Sequence, residues 1–413
     1  LKNILKFDAN NEEKIIKIYY LKSLICDWQS YDNDLKNLLS ISTLNTPVNP
    51  FRLLSAEDSP PNQQKRSRLW GNNLKRIDTQ DTNYFKKNKK IKIGYFSSDF
   101  HGHATMHLMS GLFRNHDADL FEIIIYNYSK KHNDKWTSFI NQYSKKVINI
   151  NDNTNENDLI NQIRDENLDI AIDLKGYTTG SKIHLFKNKL AKLHISFLGY
   201  PGTLGSKFID YIIADKTVIP DEYRKFYDEK IIFMPNCYQP NDEQRKIPNV
   251  NSSKQEHGLP EDKFIFCCFN DLYKISPIEF DIWMNILLKV EKSVLWLLTD
   301  NHKAIDNLIF EANKKGIKKN RIIFAKRINH ELHLERHRHA DLFLDCFNYN
   351  AHTTASDALW MNVPLITKIG KQFSARVAAS LLTTLELTEL ITSSQKEYES
   401  IAIKLATNPD ILN

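Results

Sequence analysis

Cysteine is scarce in this chain and poorly spaced for any covalent or metal-clamped frame. Five thiols (Cys26, Cys237, Cys267, Cys268 and Cys346) are spread over 413 residues. None makes a CxxC pair, and Cys267–Cys268 are adjacent inside an apolar run. That pattern fits buried thiols in a reducing compartment and excludes a disulfide scaffold or a cysteine zinc site. Long apolar runs are missing too. Stretches such as Val294–Leu298 fall far short of the ~20 residues that span a bilayer, and no secretory apolar core opens the chain. There is no internal repeat of solenoid length. Nor is there a large excess of one charge: the net value of +6 suits an anionic ligand without calling for nucleic acid. The densest basic run, Lys86, Lys87, Lys89, Lys90 and Lys92, reads as a solvated linker before a strand. What remains is a globular composition, 41% hydrophobic and 11% aromatic, long enough for two α/β cores.

In chain order, residues 12–40 carry helical apolar spacing (Ile15, Ile16, Ile18, Tyr19, Leu24, Ile25, Trp28). Residues 41–62 read as irregular, with Pro47, Pro50, Pro60 and Pro61 breaking the pattern. Strand and helix patterns then alternate. Expected strands are Ile91–Phe96, Phe121–Tyr126, Lys146–Ile150, Leu168–Leu174, Leu193–Leu198, Tyr211–Ala214 and Lys230–Met234. After a polar stretch, 236–262, come Phe264–Phe269, Val294–Leu298, Arg321–Phe324, Leu342–Asp345 and Pro364–Thr367. Alternation of this kind predicts two mostly parallel sheets with crossover helices. The expected division is a helical connector over 1–90, an α/β domain over 91–235, a linker over 236–262 and a second α/β domain over 263–413. The Leu1 start and the Asn413 end read as those of a fragment.

Polar residues crowd the ends of several of these strands, where open α/β sheets place their ligands. Ser97-Ser98-Asp99-Phe100-His101-Gly102-His103 follows the first. Asp173-Leu174-Lys175-Gly176-Tyr177-Thr178 follows another, and Phe197-Leu198-Gly199-Tyr200-Pro201-Gly202 is a rigid turn-forming stretch. In the second half, Phe269-Asn270-Asp271-Leu272-Tyr273-Lys274 ends a strand. After Leu342-Phe343-Leu344, the loop Asn348-Tyr349-Asn350-Ala351-His352 leads to Thr353-Thr354, read as the cap of a helix with Asp357 in its first turn and Asn362 and Pro364 as its stop. A helix start delivering hydroxyls and free amides just past a strand is an anion site; a plain helix cap is the bland alternative. His330-Glu331-Leu332-His333-Leu334-Glu335-Arg336-His337-Arg338-His339 places His330, His333 and His337 on one helical face. No HExxH and no cysteine or carboxylate cluster with ligand spacing accompanies them, so no metal site is assigned. No DxD ends a strand either; Asp32-Asn33-Asp34 lies in the N-terminal helical region.

The string Tyr349-Asn350-Ala351-His352-Thr353-Thr354-Ala355-Ser356-Asp357-Ala358-Leu359-Trp360 resembles the nucleotide-sugar signature of the O-GlcNAc transferase family, its bacterial branch especially. The likeness runs from residue 91 to the end and more loosely before it. It implies an α/β GT-B fold, two Rossmann-like domains facing a cleft, preceded by a short helical connector that joins a TPR repeat region in the family. It implies an inverting, cytoplasmic transferase that moves a sugar, by default GlcNAc, from UDP to Ser/Thr hydroxyls of proteins, with no metal cofactor, no nucleic acid and no membrane. Catalytic roles pass to Asp99, His103 and Lys274. The nucleotide sugar falls to Asn270, Tyr273, Lys274, His333, Arg336, Tyr349, His352, Thr353, Thr354 and Asp357. The acceptor and sugar pocket falls to Thr178, Leu198, Gly199 and Pro201, while Lys175 either serves the cleft or is solvated.

The chain departs from the animal enzymes of that family at several of these places. Asp271 stands for a glutamine and would repel a diphosphate unless it turns away or meets a cation. His330 replaces a lysine. Tyr349 replaces a small cysteine beside the N-acetyl group, with Leu54 for a methionine, so a UDP-glucose donor stays open. Phe51 takes the place of a linker histidine. GDP-fucose transfer, as in Spindly-type relatives, sugar-nucleotide epimerisation and a weakly catalytic binding module are the other readings. By the same resemblance, the family's closing helix falls after Asn413.

Overall fold

The computed structural model describes residues 12–42, 47–77, 86–130, 134–151 and 153–412. Parts of the expected connector (1–11, 43–46 and 78–85) lie outside them. The chain divides into two compact units, one of 1–48, 52–59 and 246–413, the other of 49–51 and 60–245. The stretch expected as one connector, 1–90, is thus shared between them, and the final crossing, at 245/246, falls inside the stretch expected as a linker.

The unit containing residues 60–245 is built on seven parallel strands: β1 Ile91–Ser97, β2 Phe121–Asn127, β3 Lys146–Asn149, β4 Leu168–Asp173, β5 Ala191–Ser196, β6 Tyr211–Ala214 and β7 Lys230–Phe233. Their order is β3-β2-β1-β4-β5-β6-β7. Near-continuous apolar runs such as Phe121–Asn127 are what a sheet covered on both faces demands, and rings fill the gaps: Phe96 stacks on Tyr126 at 4.2 Å. The fifth strand begins and ends two residues earlier than its apolar pattern suggests, and it cannot run through Leu198, which sits at φ 65°, outside any strand conformation. The lysines at 86, 87, 89 and 90 are exposed, as a solvated linker would be.

The second sheet has the order β10-β9-β8-β11-β12-β13. Its strands are β8 Phe264–Cys268, β9 Ser293–Leu298, β10 Ile322–Ala325, β11 Leu342–Leu344, β12 Leu365–Lys368 and β13 Ile391–Thr392. The last, two residues long, carries no readable pattern and was not expected. Both sheets have the doubly wound order in which chain direction reverses beside the first strand, so the switch points lie between β1 and β4 and between β8 and β11.

The helical start differs from the expected single helix. It is two helices, α1 Glu12–Ser23 and α2 Tyr31–Ser42. The break is a left-handed turn at Cys26 (φ 49°), closed by Asp27 N–H donating to the Lys22 carbonyl at 3.0 Å. Ile16, Tyr19, Leu38, Val48, Leu53 and Ala56 form a small core there. Pro60 and Pro61 do not extend an irregular stretch; they open helix α3, Pro60–Asn73. A first-turn proline has its φ already set and no N–H to lose. Among the described residues, no helix is long and apolar enough to cross a membrane.

Candidate functional site

In the β8–β13 sheet, side chains gather at the β8/β11 switch point. After β8 the chain turns through Leu272–Lys274, a short 3₁₀ helix. The half-buried Lys274 Nζ donates to the Asn350 carbonyl at 3.0 Å and lies 4.0 Å from the centre of the Tyr349 ring. Burial pulls its pKa below the ordinary lysine value; Asp271 and Asp345 pull the other way. The Nζ is held in place by that carbonyl and that ring, and as an ammonium it has two N–H groups to spare.

The loop after β11 is held from beneath by Asp345, which pattern reading took only as a strand end. Its carboxylate accepts from Ala351 N–H (2.6 Å), Cys346 N–H (2.8 Å), Asn270 Nδ2 (3.3 Å) and Thr367 Oγ1 (2.7 Å). Complete burial raises its pKa to about 7, against those hydrogen bonds and Lys274. Asn350 is anchored as well: its N–H donates to the Ser374 carbonyl (2.8 Å) and its Nδ2 to the Cys346 carbonyl (2.7 Å). The helix that follows is Thr353–Trp360. His352, not threonine, holds its N-cap position, and it offers no side-chain cap. Thr353 and Thr354 are the first two helical residues, whose N–H groups have no carbonyl one turn back. Thr354 Oγ1 donates to Asn270 Oδ1 at 2.6 Å, which joins the two strand ends. Asp357 lies past the first turn, buried, with its carboxylate 3.6 Å from His330 Nε2.

The expected face of His330, His333 and His337 is split. The helix runs only over His330–Glu335 and tightens to 3₁₀ over Arg336–His339. Leu334, Glu335, Arg336 and His337 are buried, so a solvated face is excluded. His333 and His337 both meet the Phe269 ring, at 5.3 and 4.9 Å. Arg336 Nε donates to His333 Nδ1 at 3.0 Å, and Nη1 to the Lys326 carbonyl at 2.8 Å. Burial, with the neighbouring His337 and Arg336, drives the His333 pKa down to about 2. A neutral imidazole that accepts at Nδ1 must carry its proton on Nε2, so His333 is a fixed donor.

Tyr273 and Tyr349 meet edge to face at 6.0 Å, and Tyr349 packs on His352 at 4.9 Å. From α1, Tyr20 reaches Tyr273 at 5.7 Å, and Arg52 covers Tyr20. Residues 52–59 thus belong to this half: Leu54 is buried, and its carbonyl accepts from Gln372 Nε2 at 2.7 Å. The carboxylate of Asp271 is met by Arg327, an exposed ion pair that supplies the cation this position requires.

The β1–β7 sheet gathers its own group at the ends of β1, β4 and β5. The buried Asp99 accepts from Lys175 Nζ at 2.7 Å. Lys175 is therefore neither solvated nor free; it is an internal counter-charge. His103 is the N-cap of helix Ala104–Arg114: its Nδ1 accepts from Thr105 N–H at 3.2 Å and lies 3.6 Å from Asp99. With Nδ1 accepting, the neutral ring again carries its proton on Nε2. Thr178 Oγ1 donates to the Lys175 carbonyl at 2.8 Å and so closes a turn. Leu198, at φ 65°, is a non-glycine residue in a strained region beside this group. Gly199 N–H donates to the Phe197 carbonyl at 2.7 Å, and Gln63 of α3 donates to the Pro201 carbonyl at 3.3 Å, which brace the loop. Phe51 N–H donates to Asn49 Oδ1 while Asn49 Nδ2 reaches the Tyr177 carbonyl, which ties 49–51 to the same loops.

The family profile "Glycosyl transferase family 41" matches residues 74–252 and 241–413. The chain is 36% identical over 328 residues to the Arabidopsis thaliana protein "Probable UDP-N-acetylglucosamine–peptide N-acetylglucosaminyltransferase SEC", covering 78% of this chain and 33% of that one. It is 26% identical over 360 residues to the same plant's SPINDLY protein, printed with the same enzyme description, covering 84% of this chain and 38% of that one. The chain thus spans about a third of the length of the curated relatives it matches. A mutant O-GlcNAc transferase of Thermobaculum terrenum superposes with a TM-score of 0.84 at 21% identity, covering 98% of this chain and 78% of that one. That likeness shows the fold: GT-B, with two Rossmann-like units.

Proposed function

The chain belongs to glycosyltransferase family 41, and on that premise we propose that it is the catalytic region of an inverting transferase that moves a sugar, by default GlcNAc, from UDP to Ser/Thr hydroxyls of proteins. The observation that carries this reading is the β8/β11 switch point, where a fixed ammonium and a helix start converge. Cleaving a glycosyl–diphosphate bond leaves charge on the departing UDP. Lys274 and the amides of Thr353 and Thr354 would meet that charge as it develops, and so favour the transition state over the bound donor. Positive groups already in place do what a metal does in other transferases, so the transfer needs no metal. His333, with its proton on Nε2, would donate to a carbonyl of the base, and Arg336 holds it there. Asn270 and Asp345 set the loop, and Tyr273, Tyr349 and His352 line the donor.

On the acceptor side, His103 presents an N–H. It orients the incoming hydroxyl and does not abstract its proton in this tautomer, while Asp99 holds the local charge with Lys175. Thr178, Leu198, Gly199 and Pro201 shape the acceptor loops. The five free thiols suit a reducing, cytoplasmic setting. The test is calorimetric titration with UDP and GDP in the presence of a chelator, followed by transfer from UDP-GlcNAc, UDP-glucose and GDP-fucose to peptides. Metal-free UDP binding and peptide glycosylation are the expected results. GDP binding in place of UDP, or sugar-nucleotide turnover without any acceptor, would overturn the assignment.

A further inference from the structure

The histidine-rich stretch has a second side that the donor site does not use. His333 and His337 face Phe269, while Glu335 and His339 meet a residue from far earlier in the chain, His257. One ring nitrogen of each of His257 and His339 and a carboxylate oxygen of Glu335 all lie within 4.8 Å of one another. We propose that these three side chains bind one divalent ion of the zinc class, which clamps the segment after residue 246 onto the His330–His339 turn.

The geometry around Ser252 supports this. One hydroxyl sits among all three groups: Ser252 Oγ is 2.8 Å from His257 Nε2, 3.0 Å from His339 Nε2 and 2.6 Å from Glu335 Oε2. The backbone N–H of Ser252 fixes the other carboxylate oxygen at 2.9 Å. Three ligand atoms therefore converge on one point, and a fourth oxygen is already there. Two imidazoles and a carboxylate are a borderline-soft donor set that suits Zn²⁺; Ca²⁺ and Mg²⁺ prefer oxygen throughout. Zinc bonded at about 2.1 Å would draw the three atoms to roughly 3.4 Å apart, a shift asked of the two half-buried histidines. The proton on each Nε2 would move to Nδ1, and Ser252 Oγ or a water would complete four-coordination. His257 also packs on Trp296 at 5.5 Å, and Trp296 on Phe269 at 5.0 Å. The ion would thus stiffen the platform beneath His333.

The experiment is titration of chelator-stripped protein with Zn²⁺, with Co²⁺ as a visible reporter and thermal midpoint as a second readout. One equivalent should bind, raise the midpoint and, as Co²⁺, give the strong visible absorption of a four-coordinate site. His257→Ala and His339→Ala should weaken binding by more than about 100-fold, the upper end of what losing even a supporting partner costs. Ser252→Ala should keep the site, because it removes the hub of the hydrogen bonds but none of the three ligands. His302→Ala, on an exposed helix start, should change nothing. No binding, or binding unaltered in the His257→Ala/His339→Ala double variant, would overturn the proposal and leave a hydrogen-bonded cluster centred on Ser252. None of these readouts depends on sugar transfer.

Discussion

Lys274→Met tests the donor site most directly. The substitution keeps an unbranched chain of similar length and removes the charge together with its N–H donors. Lys274 donates to one backbone carbonyl at 3.0 Å and rests on Tyr349 at 4.0 Å, so its remaining N–H groups are those available to a diphosphate. A hydrogen bond to a charged group contributes about 1.5–3 kcal/mol net. At about 1.4 kcal/mol per tenfold, UDP should bind roughly 10–150-fold more weakly. Turnover should fall further, because the charge on the leaving group is largest in the transition state; losing one preorganised donor there costs about 10²–10³ in kcat. Stability should hardly move. The Met variant loses a cation–π contact worth about 0.5–2 kcal/mol but no longer buries an ammonium. Calorimetry with UDP, single-turnover transfer and a thermal melt give the three numbers. UDP affinity within threefold of wild type would refute the placement of the phosphates, whatever the loss of turnover. A collapse in melting temperature would show that the lysine holds the loop and does not serve the ligand.

Arg327→Ala should weaken UDP binding several-fold, more at low salt than at high, by leaving Asp271 to repel the diphosphate. In an Asp271→Asn background the same change should do almost nothing, and equal effects in both backgrounds would contradict the pairing. Gly199→Ala should abolish peptide transfer while leaving UDP affinity within twofold, because a Cβ there would lie 1.9 Å from the Leu174 carbonyl oxygen, which cannot yield. Gly202→Ala meets only the end of the Gln63 side chain and should cost about 1–3 kcal/mol by melt; a larger loss than at Gly199 would show the loop braced otherwise. Asp345 holds its proton up to about pH 7 when folded but releases it near pH 4 unfolded. Its contribution is therefore full below about pH 4 and lost as pH rises to 7, on the order of 4 kcal/mol. Asp345→Asn should gain on wild type by that amount across the window in denaturant titrations, and a constant difference would mean the carboxyl is ionised throughout.

The strands were legible because parallel strands buried on both faces need unbroken apolar runs, and nearly every such run became one. Their order was not, since β1 and β4 pair across 77 residues with no local signal. Backbone exceptions escaped in the same way. Cys26 takes a left-handed turn that glycine usually fills, so the break between α1 and α2 left no mark in the apolar spacing. Lys274 and Thr354 could be picked out because each follows a strand. Asp345 could not, since its role lies in four donors that the fold gathers from residues 270, 346, 351 and 367.

Charge is where the two levels of reading differ most. Asp271 looks hostile to an anion and Lys175 looks solvated when each is taken with its neighbours in sequence. The fold gives the first an arginine from 56 positions away and the second an aspartate from 76. A charged residue at a strand end therefore marks a site before it marks a role. The role follows from which ions remain without an internal counter-charge once the strands are paired. By that criterion Lys175 is spent within the protein, whereas Lys274 donates to a backbone carbonyl and rests on a ring, which is why it is the cation proposed to meet the ligand.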